Sequence, residues 1–119
     1  MLERFKVPEK DRVYVDADEM RSATEAIFLA MGLSDEDAVL SADVLMTNDL
    51  RGVETHGVSN MLRSYVGRYR DGGMNPTPEI TIERESDSTA VLDGGGGLGL
   101  HVAPRAMDMA VEKARKFGM

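Results

Sequence analysis

Apolar positions recur at helical spacing in three successive stretches, and past Met74 the periodicity changes. Met20, Ala23, Ile27, Ala30 and Met31 fall three or four residues apart, the signature of one helical face. Asp16 precedes them with Glu19 three places later, a capping-box spacing, and Gly32 follows as a stop. Ser34 opens the second stretch, with Asp35, Glu36 and Asp37 where the helix dipole favours negative charge. Ala38, Val39, Ala42, Leu45 and Met46 are its expected buried face, and it should end near Leu50. A third helix is predicted from about Gly57 to Arg70. Val58, Met61, Leu62, Tyr65, Val66 and Tyr69 form its apolar side, and Gly72 and Gly73 close it. His56, Asn60, Arg63, Gly67 and Arg70 share a different side.

Residues 1–15 read as a lead-in, with a short strand expected at 12–15. On the other side of the helices, Pro76 and Pro78 stiffen a connector by forcing their predecessors to extended conformations. Residues 80–84 and 89–92 are predicted as two strands around a turn at Ser86, Asp87 and Ser88. A glycine run from Gly94 to Gly99 leads into a last helix, predicted from about Val102 with Pro104 in its first turn. Its apolar face is Val102, Ala103, Ala106, Met107, Ala110, Val111 and Ala114, and Gly118 ends it. No internal repeat is evident. The expectation is a mixed α+β chain: a three-helix section over 1–74, then a hairpin and helix over 75–119. Two strands alone make a marginal sheet, so the second section reads as the start of a domain that is not completed.

Composition narrows the function classes. With 119 residues, 42% hydrophobic and 29% charged, the chain suits one globular domain or part of a larger one. A formal charge of −7 argues against a nucleic-acid partner, which would need clustered Lys and Arg. The absence of Cys removes disulfides, thiolate catalysis and Cys-ligated metals. No apolar run is long enough for a membrane span, and the first residues lack a signal-peptide core, so a reducing cytoplasm is the expected setting. The nine methionines read as core filler. Glu83, Glu85 and Asp87 read as a solvated edge that discourages strand-to-strand association.

The densest chemistry lies between the second and third helices. Asp49, Arg51, Gly52, Thr55, His56 and Gly57 occupy one short turn. A histidine exchanges protons near neutral pH, arginines bind carboxylates bidentately, and glycines permit close backbone approach. Each residue alone has an ordinary reading. His56 could cap a helix, Thr55 could be the N-cap, Asn60 an exposed helix polar group, and Arg51 and Arg63 solvated charges. The cluster is what points to proton transfer on a small anion.

A second candidate is Gly94, Gly96 and Gly99, which match a dinucleotide-binding fingerprint after a strand and before a helix. The preceding strand sits in a hairpin, though, and the ribose-binding acid expected about twenty residues on would fall at or beyond the last residue. The competing reading is a flexible turn into a helix. His101 follows the run; it could approach a cofactor, and a first-turn surface histidine is the ordinary alternative. Two distant histidines give no metal-ligand spacing.

At these residues the chain resembles the malate/L-lactate dehydrogenase family, non-Rossmann NAD(P)-dependent oxidoreductases that include ureidoglycolate dehydrogenase and piperideine-carboxylate reductase. The resemblance runs from about residue 16 to 119. It rests on the turn from Asp49 to Gly57, on Tyr65, and on Gly72 to Pro76. It also rests on Leu92 to Gly94, Gly97 to Gly99, Ala106 with Met107, and Lys113 with Ala114. It implies that His56 is the acid/base residue acting on a 2-keto or 2-hydroxy acid, with Thr55 where the family usually has Ser. It implies NAD or NADP as cofactor, with Gly97, Gly99 and His101 on the cofactor side, and a homodimer. Two positions depart from the family. Asn60 stands where an arginine commonly holds the substrate carboxylate, and Ser64 stands where a tyrosine is common. Arg51, Asn60 and Arg63 are therefore the expected substrate-handling residues. Family members are much longer, so the chain is expected to be an N-terminal portion, inactive alone. A stand-alone, non-catalytic helical interaction module derived from the family is the alternative.

Overall fold

The computed structural model describes residues 7–118. In chain order it contains α1 (Ala17–Ala30), α2 (Asp35–Leu50), α3 (Val58–Arg70), β1 (Thr81–Glu85), β2 (Ala90–Asp93) and α4 (Gly99–Phe117). Short 3-10 turns at Glu9–Asp11 and Glu54–His56 flank the first helices. The mixed α+β expectation holds. No helix among the described residues is long and apolar enough to cross a membrane.

Capping residues set the helix starts. Asp16 accepts the amides of Asp18 and Glu19 at 2.9 and 3.0 Å, and the Ser34 hydroxyl accepts that of Asp37 at 3.2 Å. Each satisfies amides that a helix start leaves without intrahelical partners. Of the nine buried apolar residues among those described, Leu98 alone comes from the second section; Phe28, Leu33, Ala38, Ala42, Leu45, Met46, Val58 and Tyr69 lie in the three-helix section. The radius of gyration, 16.6 Å, exceeds the roughly 13–14 Å of a compact chain this long. Every β1 residue is exposed.

Several expectations need correction. The α1 face is rotated by about one residue. Thr24 and Phe28 are buried, Ala17, Met20 and Met31 pack beside them, while Ala23, Ile27 and Ala30 face outward. Thr24 is tolerated inside because its hydroxyl donates to the Met20 carbonyl at 2.8 Å. Val39 on α2 is half exposed, at 52%. Residues 12–15 form no strand: the only sheet among the described residues is the antiparallel β1–β2 pair, so this segment has no ladder partner. α4 begins three residues earlier than expected, which places Pro104 inside the helix rather than in its first turn. The early start follows from burial, since Leu98 and His101 pin that first turn onto the helical section. Much of the expected α4 apolar face is uncovered, with Met107 63% and Val111 39% exposed.

The connector joins the two sections. The Asn75 amide donates to the Gly96 carbonyl at 2.9 Å and its side-chain Nδ2 to the Gly95 carbonyl at 3.0 Å. Gly95 has a φ of +59°, and a Cβ there would lie 2.6 Å from the Glu79 carbonyl oxygen. Gly97 is equally close to Pro78. The glycine run is thus a tight turn built against the Asn75–Glu79 backbone.

Candidate active site at the turn between α2 and α3

Leu50 ends α2, and the chain reverses through Gly52, whose φ of +74° suits glycine. The Val53 amide returns to the Asn48 carbonyl at 2.8 Å, and Glu54–His56 coils into a single 3-10 turn. His56 is exposed, and the Thr55 hydroxyl lies 2.9 Å from its Nδ1. Asn48 Nδ2 donates to the His56 carbonyl at 3.0 Å. Two residues later, the Val58 amide donates to Asp49 Oδ2 at 2.8 Å. Asn60 Nδ2 donates to the Glu54 carbonyl at 2.7 Å, so its side chain braces the same turn.

Thr55, His56 and Asn60 are therefore gathered in one place. Arg51 is the exposed residue just after α2, and Arg63 is exposed on α3. Neither makes an ion pair among those found for the described residues. Gly97, Gly99 and His101 lie elsewhere. His101 is not the surface residue expected from the sequence: it is fully buried, with Nδ1 3.3 Å from the Ser41 hydroxyl and Nε2 without a partner. Ser41 is seven residues before Asn48 on α2, roughly 10 Å along the axis at 1.5 Å per residue. The two candidate groups thus attach to opposite halves of one helix.

A polar seam surrounds His101. Arg105 Nη1 donates to Asp37 Oδ1 at 2.5 Å and Nη2 to Glu36 at 3.0 Å. Burial raises the Asp37 carboxyl, but hydrogen bonds from Arg105 and Ser34 outweigh it and hold the group below its usual value. Burial lowers His101, opposed by the Asp37 charge. The Tyr69 hydroxyl, also buried and unpartnered, is pushed up to about 12 by burial, with Asp37 adding to it.

As a cofactor cradle the glycine turn fits poorly, because Gly95 and Gly97 pack against protein. Gly99, at the start of α4, has open space around it.

Sequence reasoning did not assign roles to Asn48 and Asp49, nor find the seam. The signals were present. Glycine at 57 leaves α3 without a capping side chain of its own, and Asp37 and Ser41 interrupt the apolar face of α2 at helical spacing.

The sequence pattern of the malate/L-lactate dehydrogenase family matches residues 15–119, and the chain belongs to that family. Among its relatives, the malate dehydrogenase of Pyrococcus abyssi is 43% identical over 119 residues, all of this chain and 32% of the relative. The L-sulfolactate dehydrogenase of Methanocaldococcus jannaschii is 41% identical over 88 residues, 74% of this chain and 25% of that protein. The structure of malate dehydrogenase from Pyrococcus horikoshii superposes with a TM-score of 0.88 at 40% identity, covering 99% of this chain and 33% of that one. The chain therefore spans about a third of the length of these relatives.

Proposed function

We propose that this chain supplies the proton-transfer part of an NAD(P)-dependent dehydrogenase acting on a small 2-hydroxy or 2-keto acid. The observation that carries the reading is the Thr55 contact to His56 Nδ1, on an exposed ring whose backbone is tied down at its own carbonyl and at the Val58 amide. The threonine hydroxyl oxygen can accept from Nδ1–H of the cation and equally from Nδ1–H of the neutral ring left when Nε2 gives up its proton. The ring stays held through both protonation states, and Nε2 is left to exchange the proton. In reduction, Nε2–H of the cationic ring gives its proton to the ketone oxygen as hydride reaches the carbon; in oxidation the unprotonated Nε2 of the neutral ring takes the hydroxyl proton back. The hydride belongs to the nicotinamide, NAD or NADP.

Arg51 and Arg63 are proposed to bind the substrate's acid groups. Asn60 stands where relatives commonly carry arginine, and its amide is committed to Glu54. It orients the turn rather than neutralising a carboxylate. Malate and sulfolactate, named for the relatives, are the first substrates to test. Gly99 is the cofactor-side position left open, and a homodimer is the proposed assembly. The test is a chimera in which this chain replaces the matching third of the Pyrococcus horikoshii enzyme. Turnover of malate or sulfolactate with NAD or NADP supports the reading. A folded chimera without turnover on either acid contradicts it.

A further inference from the structure

The last turn of α2 carries more than a helix end. We propose that Asn48 and Asp49 are the positioning residues of His56, clamping the backbone from its carbonyl to the Val58 amide so that the ring, held at Nδ1 by Thr55, presents Nε2. This rests on His56 being the proton-exchanging residue.

The geometry is specific. α3 starts after Gly57, which has no side chain to cap the free amides. A Ser, Thr or Asp at that position would cap the helix locally. Here the cap comes from the preceding helix: Asp49 Oδ2 takes the Val58 amide, and the Asp49 carboxylate fills the space beside Gly57. A Cβ on residue 57 would lie 1.6 Å from Asp49 Oδ1, so Gly57 is required by this contact and not by its φ of −92°. Asn48 completes the clamp. Its carbonyl accepts the Val53 amide where the turn begins, and its side chain donates to the His56 carbonyl where it ends. The bonds on residues 56 and 58 leave His56 little backbone freedom, and the Thr55 contact then sets the ring. Capping α3 alone needs only the Asp49 bond; the Asn48 bond falls on the histidine itself.

The test uses the full 119-residue chain and nitrogen-detected NMR of the His56 ring. The wild-type ring should show one dominant neutral tautomer, with Nδ1–H donating to the Thr55 hydroxyl and Nε2 unprotonated. Asn48→Ala and Asp49→Ala should each lose that signature and give the mixed-tautomer pattern of a free histidine. Asp49→Asn, which keeps an acceptor oxygen, should largely restore it. A variant that melts earlier but keeps the wild-type ring pattern overturns the proposal and leaves Asp49 as a helix cap only. Should Asp49→Ala fail to fold by circular dichroism, Asn48→Ala decides alone, and an unchanged ring pattern there also overturns it. The readout needs no turnover. If ring order is lost in these variants while the chimera stays active without His56, the catalytic reading fails and the clamp stands.

Discussion

His101 gives the sharpest stability prediction, because a fully buried imidazole must change its behaviour with pH. Burial lowers its proton affinity; Asp37 partly offsets this, and Arg105 reinforces it. Glu36, Tyr69 and Ser41 complete the polar surroundings. With the folded value below the unfolded one, the unfolded chain binds more protons as pH falls through the ordinary histidine range. Stability is therefore full above about pH 6.5 and declines as pH falls toward the folded value. The loss is about 1.4 kcal/mol for each unit by which the folded value lies below the unfolded one. Asp37 contributes in the same direction, but only below the ordinary carboxylate value of 3.8, and Tyr69 matters only above 10. Between pH 7.5 and 5.5, His101 should dominate the slope. Urea denaturation of wild type and His101→Gln at both pH values measures it. His56 remains in both proteins and cancels in the comparison. Wild type should be less stable at pH 5.5, and the substitution should flatten that difference. At pH 7.5 His101→Gln should cost about 1–3 kcal/mol from the disturbed Ser41 contact and repacking. An equal slope in both proteins would refute the buried-neutral account.

Other substitutions probe the remaining contacts. Gly57→Ala should displace the Asp49 carboxylate and cost about 1–3 kcal/mol in denaturant unfolding, since cap and packing are disturbed together; a neutral result would mean that Asp49 does not sit there. Arg105→Met should cost about 1–2 kcal/mol, between the limits for exposed and buried pairs, because Asp37 would keep its burial without its cation. The same variant should raise the Asp37 carboxyl, seen by carbon NMR titration. Gly95→Ala should be destabilising by about 1 kcal/mol or more through its positive φ and the Glu79 contact, detected as a lower melting temperature.

Local signals in the sequence were legible where neighbouring residues decide structure. Asp16 and Ser34 fix the helix starts through bonds that reach only three residues ahead. The Asp49–Gly57 turn was legible as a cluster, because Thr55 and His56 are adjacent and Asn60 is one helical turn away. What escaped was decided at a distance. The α1 face depends on Thr24 satisfying its own hydroxyl on Met20, which lets a polar residue face the core and turns Ile27 outward. His101 looked like a surface residue at a helix start, yet Ser41, sixty positions earlier, gives its ring a buried partner. The glycine run matched a nucleotide-binding pattern, and only the closeness of Pro78 and Glu79 shows that its compactness serves packing. Asn48 and Asp49 could be read as ordinary helix-end residues until the turn folded back on them.

The central claim is that His56 moves the proton. It is tested most directly by kcat of the chimera carrying His56→Gln, with cofactor affinity measured in parallel. The account predicts a fall of at least about a hundredfold, the usual scale for losing a general acid–base group, with cofactor affinity nearly unchanged. A chimera that folds, binds cofactor and keeps its kcat within about twofold of the parent would contradict it.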